Sequence, residues 1–580
     1  MPIDKQAVTT FVTVLARVVA LALALTGARL GALEIEHVQW GFAGEVVPQR
    51  INLLSVLVAN PGKDAFDGQL MVRERPYDDI GAPWVATVYL APGSRRWVQF
   101  HPWVGAHATR FELSCPQTRE KHPLGEPPVG PPAVVLLDDG ASLRAPNRAL
   151  RVFPAELFPT SVAAMDGLDA LVIDHPPRWQ PEQRQALRDW VRRGGLLYLL
   201  PDVDGRPVQL DAELSPPDAL PLRCGSGWVR RLDASRATCS RERLVEAGYA
   251  PTTLAEGDAN VVRGDLATTI TEAFANLVRP DHAWPAIYIV LVLFIAVVGP
   301  GGVLLARRGV RPRWVNAGLV IAVVATTWLL AVIGRRGYDE RAVAHTVACA
   351  HLIDDGVYDT MAWSRVFVTS SGSFAIAHDG DANLYACPSA EAVDAMITAA
   401  GGGALMTKLP LYSTRSFIQR GRARGPALSV AVDRLVVGDT ITACDVRLVG
   451  DAEPGKRWAD TIGEAWVVNG DRFHQLQRGD AGLRLGSVVK MRGDLESEHV
   501  QEADEWLTLT QLGKRLLPVA AGRHGLDQPA SRRAGMVSLL LVSQRLPAFA
   551  TPPLGGTQSG CVVYRVDLPV DPPAAPQEPQ

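Results

Sequence analysis

The chain has 580 residues, a mass of 62.4 kDa, and 58 basic against 61 acidic side chains, so its formal net charge is −3. Because one domain usually takes roughly 100–200 residues, this length predicts several domains. Hydrophobic residues make up 47% and charged residues 21%, a composition that supports packed cores and excludes general disorder. The near-neutral charge argues against a nucleic-acid-binding protein, which needs a basic face.

Residues 1–28 have the pattern of an export signal. Lys5 and Arg17 precede the apolar run VVALALAL at 18–25, and the small residues TGA follow at 26–28. Charge, a short apolar core and a small-residue exit predict a secretory signal with cleavage after Ala28. The alternative is an uncleaved N-terminal anchor, and either one exports the chain that follows.

Two long apolar runs in the middle of the chain predict a transmembrane hairpin. Residues 284–306 and 314–334 contain no charged side chain over 23 and 21 residues. Each reaches the roughly 20 residues that cross the hydrocarbon core. Trp284, Tyr288 and Trp314 suit the aromatic belts at the membrane interfaces.

The connector at 307–313 (RRGVRPR) predicts how this hairpin is oriented. It holds four arginines in seven residues: Arg307, Arg308, Arg311 and Arg313. Positive charge in a short loop favours the cytoplasmic side, although Arg335 and Arg336 after the second span favour the opposite orientation. With an export signal upstream, we expect a multi-pass inner-membrane protein with both large parts outside the cytoplasm, in the periplasm.

Residues 33–125 predict a β-rich domain. Apolar runs such as INLLSVLV at 51–58 and WVQF at 97–100 are separated by turn signals, among them NPG at 60–62. Short strands at near-regular spacing indicate a small Ig-like sandwich. Residues 126–132, which contain PPVGPP, then predict a stiff linker.

Residues 133–283 predict an α/β domain. The continuous apolar runs at 133–137, 168–173 and 196–200 are typical of parallel strands covered on both faces. A helix from Pro181 to the GG pair at 194–195 separates the last two runs. These elements predict an open sheet of the flavodoxin-like type.

An amphipathic helix leads from this domain into the membrane. Its apolar residues, Leu266, Ile270, Phe274 and Leu277, fall at helical spacing. We expect the helix to pack on the α/β domain, with attachment to the membrane surface as the alternative.

After the hairpin, residues 338–566 predict a second extracytoplasmic β-rich domain, of sandwich or jelly-roll type. Residues 388–400 have the pattern of one inserted helix. The tail at 567–580 (DLPVDPPAAPQEPQ) is Pro-rich and predicts disorder.

The seven cysteines fit an exported protein but leave their pairing open. No CxxC motif occurs, which leaves thioredoxin-like chemistry and zinc-knuckle spacing unsupported. The four cysteines after the hairpin allow three pairings, and buried free thiols explain them equally well.

Acidic residues at the strand ends are the candidate site of any reaction. Asp138 and Asp139 follow the first strand of the α/β domain, and Asp174 and His175 follow the second. Such residues can hold Mg²⁺ or transfer protons, but aspartates at strand exits also simply form turns and caps. We therefore assign no catalytic, cofactor-binding or metal residue.

The stretch at 133–201 resembles the class I glutamine amidotransferase-like fold. The resemblance is carried by VVLLDD and by LDALVIDHPPRWQPEQRQALRDWVRRGGLLYLLP. In that superfamily a similar segment occurs in bacterial membrane proteins without enzymatic activity. Those proteins have the same order of signal, Ig-like domain, amidotransferase-like domain, transmembrane hairpin and β-rich domain.

Active members of that superfamily carry a nucleophilic cysteine on a strand-to-helix turn with a downstream histidine, and this sequence departs from the pattern. The third strand runs into Pro201 without a cysteine or serine. Cys224 follows a Pro-rich loop, and no histidine lies between His175 and His282. No catalytic residue carries over, and the resemblance implies an inactive domain.

A zinc site on one strand is a weaker candidate. His345, Cys349 and His351 share a strand face, and two imidazoles with a thiol are zinc ligands. Their spacing puts the end ligands about 20 Å apart, because a strand rises about 3.3 Å per residue. We expect no metal and no cofactor.

The sequence therefore predicts a non-enzymatic membrane protein of the bacterial envelope that displays binding or scaffold domains. Its expected partners are the lipid bilayer and other membrane proteins, and not nucleic acid. The resemblance implies association with MoxR-type ATPases and von Willebrand A-domain proteins. The alternatives are an accessory subunit of an ABC-type export or gliding-type system, and an amidase or hydrolase that uses the α/β crevice.

Overall fold

A computed structural model describes residues 33–75, 81–105, 109–140, 147–216, 221–251, 266–277, 284–309, 311–337, 342–387, 394–453, 455–479, 482–495, 508–522 and 535–570. The predicted export signal at 1–28 lies outside these residues. Contacts divide the chain into two units: Met1–Asp265 with Gly380–Met406 and Arg420–Arg422, and Leu266–Asp379 with Thr407–Gln419 and Ala423–Gln580. The protein is of mixed α/β class, rich in sheet, with two long apolar helices.

The strands that precede the apolar helices are β1 (Glu34–Trp40), β2 (Arg50–Ile51), β3 (Leu54–Ala59), β4 (Phe66–Arg75), β5 (Trp84–Leu90), β6 (Arg95–Phe100), β7 (Trp103–Val104), β8 (Arg110–Cys115), β9 (Glu120–Gly125), β10 (Ala133–Asp138), β11 (Arg151–Pro154), β12 (Leu168–Ile173), β13 (Leu196–Leu199), β14 (Leu222–Cys224) and β15 (Gly227–Arg231). Those that follow are β16 (Val343–Asp354), β17 (Val357–Val368), β18 (Gly372–Ile376), β19 (Asp381–Ala386), β20 (Ala395–Thr398), β21 (Ala404–Leu409), β22 (Ser413–Arg424), β23 (Ser429–Val437), β24 (Ile441–Val449), β25 (Asp451–Glu453), β26 (Lys456–Arg457), β27 (Ile462–Asn469), β28 (Arg472–Gly479), β29 (Gly482–Met491), β30 (Met536–Ser543) and β31 (Thr557–Pro569). The helices are α1 (Pro181–Arg193), α2 (Arg241–Glu246), α3 (Leu266–Leu277), α4 (Trp284–Ala296), α5 (Gly302–Arg307), α6 (Pro312–Gly337), α7 (Trp458–Thr461), α8 (Leu509–Arg515) and α9 (Leu517–Ala521).

A parallel sheet forms the centre of the first unit. Its strand order is β11-β10-β12-β13-β15, all parallel, with β14 antiparallel at the edge. The three apolar runs that predicted parallel strands are β10, β12 and β13, and this prediction is confirmed. Counted along the chain, the five parallel strands stand in the order 2-1-3-4-5. The order therefore reverses between β10 and β12.

Helix α1 covers one face of this sheet, and its sequence explains its length. Pro181 occupies a first-turn position, where the missing N–H costs no hydrogen bond. Gly194 ends the helix at a φ of 126°, a conformation that favours glycine. Leu187 and Trp190, one helical turn apart, are buried against β12 and β13 in the apolar core.

A buried ionic group ties α1 to the start of β12. The Arg193 Nη1 atom lies 2.7 Å from the Asp166 Oδ1 atom, and Arg420 Nη2, in the same unit, lies 3.0 Å from it. All three side chains are at most 5% exposed. Burial by itself would raise the pKa of Asp166, but the guanidiniums of Arg420 and Arg193 outweigh it and hold that pKa well below its usual range.

The backbone around Gly227, at the start of β15, leaves no room for a side chain. A Cβ at this position would lie 2.0 Å from the Val191 carbonyl oxygen and 2.4 Å from that of Gly195, and both contacts are with backbone. We expect Gly227→Ala to destabilise the first unit by about 2–3 kcal/mol, because neither carbonyl moves without shifting the end of α1. Hydrogen exchange of β13 and β15 amides measures this.

Gly167→Ala is the matched control for this substitution. A Cβ there would meet nothing closer than 3.8 Å, which is ordinary packing distance. Similar exchange rates in the two variants would contradict the proposed clash.

The β-rich prediction for residues 33–125 is confirmed. Strands β1, β3 and β6 form one antiparallel sheet, and β5, β4, β8 and β9 pair antiparallel in another. The Asn60 side chain links two loops of this region. Its Nδ2 donates to the carbonyl oxygens of Asp64 and Leu90 at 2.8 and 3.2 Å.

The helix predicted at 388–400 is wrong where the structure describes it. Residues 395–398 form β20, which pairs in parallel with β5 through Ile397 and Trp84. Ala395 and Ile397 are buried while Met396 between them is exposed, so the segment follows the two-residue period of a strand. Residues 388–393 lie outside the described part of the chain.

The second unit is built on a large sheet with the order β22-β17-β16-β31-β30-β27-β28-β29-β24-β23. β31 continues to Pro569, three residues past the predicted end of the domain, and Leu568 in this extension is buried. Residues 571–580 of the predicted tail lie outside the described residues. Asp567 forms an ion pair with Arg565 at 2.8 Å, and its Oδ2 atom lies 3.2 Å from His351 Nε2. Arg565 Nη1 also donates to the Ala520 and Gly522 carbonyl oxygens.

The lead-in helix belongs to this second unit and not to the α/β domain, where it was expected. α3 contacts β17, and the Arg365 Nη1 atom donates to the Thr271 carbonyl oxygen at 3.4 Å. Ile270 and Phe274 are fully buried, as the helical spacing of apolar residues predicted. The periodicity identified the helix and its apolar face, but periodicity does not identify which sheet covers that face.

The two apolar stretches are long enough to cross a membrane. The segments are Trp284–Leu305 and Pro312–Ile333, of 22 residues each. In the most apolar 18-residue stretch of each segment, only 6% and 0% of the residues are buried within the protein. The first contains a π-helical turn at Val297–Gly301 around Pro300, which interrupts the regular hydrogen-bond ladder. α4 and α6 contact each other as a helical hairpin.

Candidate functional site

The polar residues that follow β10 and β12 lie together at one edge of the parallel sheet. Parallel strands end at the same edge, so Asp138 at the end of β10 and Asp174 just after β12 become neighbours. Arg236 joins them: its Nη2 lies 2.7 Å from Asp138 Oδ1, and its Nη1 lies 3.0 Å from Asp174 Oδ2. One guanidinium therefore bridges the ends of two strands.

His175 extends this group. Its Nδ1 lies 2.7 Å from Asp174 Oδ1, and both side chains are only 4% exposed. An ionised carboxylate only accepts hydrogen bonds, so Asp174 selects the tautomer in which Nδ1 carries the proton. In the neutral ring, the other nitrogen, Nε2, is then a hydrogen-bond acceptor.

The loop that carries Arg236 is held by Asn147. The Asn147 Nδ2 donates to the carbonyl oxygens of Arg236 and Cys239, and its Oδ1 accepts from the amides of Ala149 and Leu150. All the hydrogen-bonding capacity of this buried amide is directed at two loops. Sequence reasoning did not find Arg236, because nothing in DASRATCS marks one arginine as the partner of residues 62 and 98 positions earlier.

A cleft of about 560 Å³ opens at this edge of the sheet. Its lining comes from the segments that follow β10, β11 and β12, which meet around the point where the strand order reverses. Its lining includes the side chains of Asp138, Asp139, Glu156, His175, Arg178 and Trp179. The sequence singled out three of these, and the structure adds Glu156, Arg178 and Trp179.

Trp179 forms a fixed wall of the cleft. Its Nε1 donates to the Ala155 carbonyl oxygen at 2.8 Å, and its ring stacks on Phe158 with a centroid distance of 4.2 Å. Gln183, from the first turn of α1, donates to the Phe158 carbonyl oxygen at 2.8 Å. These contacts fix the wall in one position before any ligand arrives.

One polar atom at the cleft has no internal partner. His175 lines the cleft, and its buried Nε2 has no hydrogen-bond partner among the described residues. A buried polar atom without a partner carries a free-energy cost of about 1–3 kcal/mol.

Cys224, whose sequence context argued against a nucleophile, lies elsewhere. It ends β14, pairs with Gly227 of β15 in an antiparallel register, and belongs to the apolar core. It does not line the cleft that contains His175. The cysteine is thus part of an edge strand, and not of a strand-to-helix turn.

Other thiols are also packing residues. Burial raises the pKa of Cys239 to about 11, and the pKa of Cys561 to about 12. Burial, with the nearby Asp445 charge, raises the pKa of Cys444 to about 11. Cys444 and Cys561 are unlinked thiols, which removes each of the three complete pairings of the C-terminal cysteines.

The histidines of β16 have separate partners. The His345 Nδ1 lies 2.7 Å from the Ser559 hydroxyl, and the His351 Nε2 lies 3.2 Å from Asp567 Oδ2. Burial lowers the pKa of His345. Over the described residues, no three His, Cys, Asp or Glu side chains are grouped so as to hold a metal ion.

Comparisons with known proteins do not assign a family. No family model matches the chain, and no curated protein matches it. Among solved structures, one match is a cycloisomaltooligosaccharide glucanotransferase from Paenibacillus sp. in complex with cycloisomaltoheptaose. It is 8% identical, covers 79% of this chain and 98% of its own, and has a TM-score of 0.16. A TM-score this low carries no argument about fold or activity.

Proposed function

We propose that this chain is a non-enzymatic, multi-pass protein of the bacterial inner membrane that displays a ligand-binding α/β domain and β-rich scaffold domains outside the cytoplasm. In this proposal the α/β domain is flavodoxin-like, of the amidotransferase-like type, and the N-terminal β-rich region is an Ig-like sandwich. The resemblance at 133–201 further suggests membership of a complex with MoxR-type ATPases and von Willebrand A-domain proteins.

The observation that carries the proposal is the exposure of the two apolar helices. Ile321 and Trp328, both in the second apolar helix, are each 67% exposed. The most apolar 18-residue stretch of that helix has no buried residue. Apolar surface on this scale is unfavourable in water, at about 25 cal/mol per Å². A lipid bilayer covers such surface, and two apolar 22-residue segments match its thickness.

The strand order of the parallel sheet supports the binding role. The order 2-1-3-4-5 is that of flavodoxin-like sheets, in which ligands bind beyond the carboxyl ends of the strands where the order reverses. The cleft with His175 lies at this position, between the segments that follow β10 and β12. The proposal therefore rests on a site and not only on the architecture.

Epitope insertion tests the orientation of the full chain. A tag between Arg308 and Gly309 should resist protease added to spheroplasts, whereas a tag after Gln580 should be digested, because the arginine-rich connector favours the cytoplasm. Replacing all four connector arginines with glutamine should reduce this protection. Digestion of the connector tag in the unmodified chain would overturn the orientation, and release of the protein by carbonate washing would overturn membrane insertion.

The scaffold role is tested by purifying the tagged full chain in mild detergent and identifying its stoichiometric partners. A-domain proteins and a MoxR-type ATPase support the proposal. A permease with its nucleotide-binding subunit would instead favour the accessory subunit of an export system. A protein that purifies alone contradicts the scaffold role.

A hydrolase is the second candidate, favoured by one observation. Asp174 Oδ1 lies 2.7 Å from His175 Nδ1 and orients the ring, and His175 lines the cleft, an arrangement that suits a general base. Incubation with a mixture of amide and ester substrates tests this role, with His175→Gln as the control variant. Turnover that disappears in His175→Gln would replace the non-enzymatic proposal.

A further inference from the structure

The connector between the two apolar helices carries positive charge that the protein itself does not neutralise. Arg307 ends α5 and Arg308 follows it, while Arg311 and Arg313 flank the proline at which α6 begins. All four side chains are exposed, and none has a hydrogen bond or an ion pair with the described residues. These side chains are therefore available to a partner.

The sequence around the hairpin offers no counter-charge either. No Asp or Glu occurs from 282 to 338, and the nearest acidic residues in the sequence, Asp281 and Asp339, precede α4 and follow α6. A 22-residue apolar segment separates each of them from the connector, and a helix of that length spans roughly 30 Å. The four arginines thus form a patch of one sign, which attracts an anion.

The turn brings the arginines to one end of the hairpin. Gly309 has a φ of 72°, a conformation that favours glycine, and lets the chain reverse. α6 contacts both α4 and α5, so the residues before and after the turn lie at the same end. The Arg311 carbonyl oxygen accepts from the Trp314 amide at 2.9 Å and starts the first turn of α6. The positive end of that helix dipole adds to the charge of the side chains.

The neighbouring side chains point to the class of anion. Leu304, Leu305 and Trp314 are exposed apolar residues next to the arginines. A partner must therefore offer negative charge and hydrocarbon side by side. Guanidinium groups donate paired hydrogen bonds that match the oxygens of a phosphate. An anionic phospholipid carries a phosphate directly beside its acyl chains, whereas a soluble phosphate offers only the charge.

We infer that the connector binds the phosphate headgroup of an anionic phospholipid, held by Arg307, Arg308, Arg311 and Arg313 with the acyl chains along the ends of the two apolar helices. The inference deepens the proposed membrane insertion, on which it rests, by naming the lipid that the hairpin binds. It does not depend on which side of the membrane the connector faces.

Native mass spectrometry of the full chain in a non-ionic detergent tests this inference. Dioleoylphosphatidylglycerol and dioleoylphosphatidylcholine are matched probes, because their acyl chains are identical and only the first has a net charge. The anionic lipid should bind at least about ten-fold more tightly, and raising the salt concentration from about 50 to about 500 mM should reduce the difference, since salt screens exposed charges. Equal binding of the two lipids overturns the inference.

A competition experiment separates a lipid from a soluble phosphate. Inorganic phosphate and glycerol phosphate lack the acyl chains, so each should displace the anionic lipid only at a concentration at least about ten-fold higher than that of the lipid. Displacement at equal concentration would assign the arginines to a soluble phosphate compound and would overturn the lipid assignment.

Variants locate the site. Arg307→Gln with Arg311→Gln removes one charge from each side of the turn, and Arg308→Gln with Arg313→Gln removes the other two. Each pair should weaken binding of the anionic lipid at least about five-fold, because every basic residue near an anionic headgroup contributes to the attraction. The side chains are exposed and unpaired among the described residues, so the fold is preserved.

The matched control is Arg206→Gln with Arg243→Gln, which removes two exposed arginines of the first unit. This variant should leave lipid binding unchanged. Equal weakening by the control and the connector variants would show attraction to the overall charge of the protein. Unchanged binding in both connector variants would show that the lipid is held elsewhere. Either result overturns the inference.

Carbonate extraction separates this inference from the proposed function. A chain that resists extraction but binds the two lipids equally keeps the membrane proposal and loses the anionic-lipid site. A chain that carbonate releases loses both, because the site requires the two helices in the bilayer.

Discussion

Replacing Asp166 with asparagine should destabilise the first unit by about 3–5 kcal/mol, the cost of leaving buried charges without their partner. The Asp166 carboxylate pairs with Arg193 at 2.7 Å and with Arg420 at 3.0 Å, and its side chain is 1% exposed. Asparagine has nearly the same shape, so the variant removes the charge without opening a cavity. The two guanidiniums then remain buried without their carboxylate.

Hydrogen exchange of the β12 amides is the appropriate measurement, because a protein of several units has no single unfolding free energy. The expected change is roughly 10²- to 4 × 10³-fold faster exchange by the opening reaction, since each 1.4 kcal/mol is a factor of ten. Glu246→Gln is the control: its pair with Arg243 is more than 60% exposed and should contribute under about 0.5 kcal/mol. Equal effects of the two variants would refute the argument from burial.

Acid should remove the same contribution. The pKa of Asp166 is lowered in the folded protein by Arg420 and Arg193 against the opposing effect of burial. A carboxyl with a depressed folded pKa stabilises the fold above its unfolded pKa of roughly 4, and this contribution is lost as the pH falls towards the folded value. The difference between the native protein and Asp166→Asn should therefore be full at pH 7 and should shrink below about pH 4.

Trp190→Ala should produce the second large effect, about 3–5 kcal/mol in the same unit. Trp190 is fully buried, and its Nε1 donates to the Leu168 carbonyl oxygen at 3.3 Å. Alanine loses the apolar burial of an indole and leaves a cavity at the centre of the core. Trp97→Ala is the control, because Trp97 lies beside the same core but is only half-buried, so its loss should cost less.

Substitution of Gly195 tests the contact between this residue and the Trp190 ring. A Cβ on Gly195 would lie 2.4 Å from the Trp190 ring, so Gly195→Ala alone should also be destabilising, by about 1–3 kcal/mol. In the Trp190→Ala background the ring is gone, and the added methyl group enters free space. The double variant should therefore be more stable than the sum of the single effects predicts, and additive effects would show that the two positions are not coupled.

Local sequence patterns predicted three strands and one helix of the α/β sheet correctly. The runs at 133–137, 168–173 and 196–200 became β10, β12 and β13 because continuous apolar stretches of this length suit strands that are covered on both faces. The helix from Pro181 to Gly194 followed from a proline, one apolar face and a terminal glycine. Each of these signals operates within a few residues, so one sequence is enough to read it.

Structural features that depend on residues far away in the sequence were not predicted. The segment at 395–398 has helix-forming residues but became a strand, because β5 offers a parallel edge about 310 positions earlier in the chain. The lead-in helix was identified by its periodicity, but the sheet that covers Ile270 and Phe274 was not. Propensity is weak compared with the free energy of burial, so tertiary packing decides such segments.

The candidate site shows the same division. By itself the sequence determined that Asp138, Asp174 and His175 would stand at strand ends, since parallel strands bring those ends to one edge of the sheet. Only the tertiary structure decided that Arg236 bridges two of them, that Trp179 and Glu156 complete the cleft, and that His175 Nε2 is left unpartnered among the described residues. Strand and helix patterns depend on the hydrophobicity and shape of neighbouring residues, so the sequence shows them directly. The pairing of a buried charge depends on which distant loop folds over it.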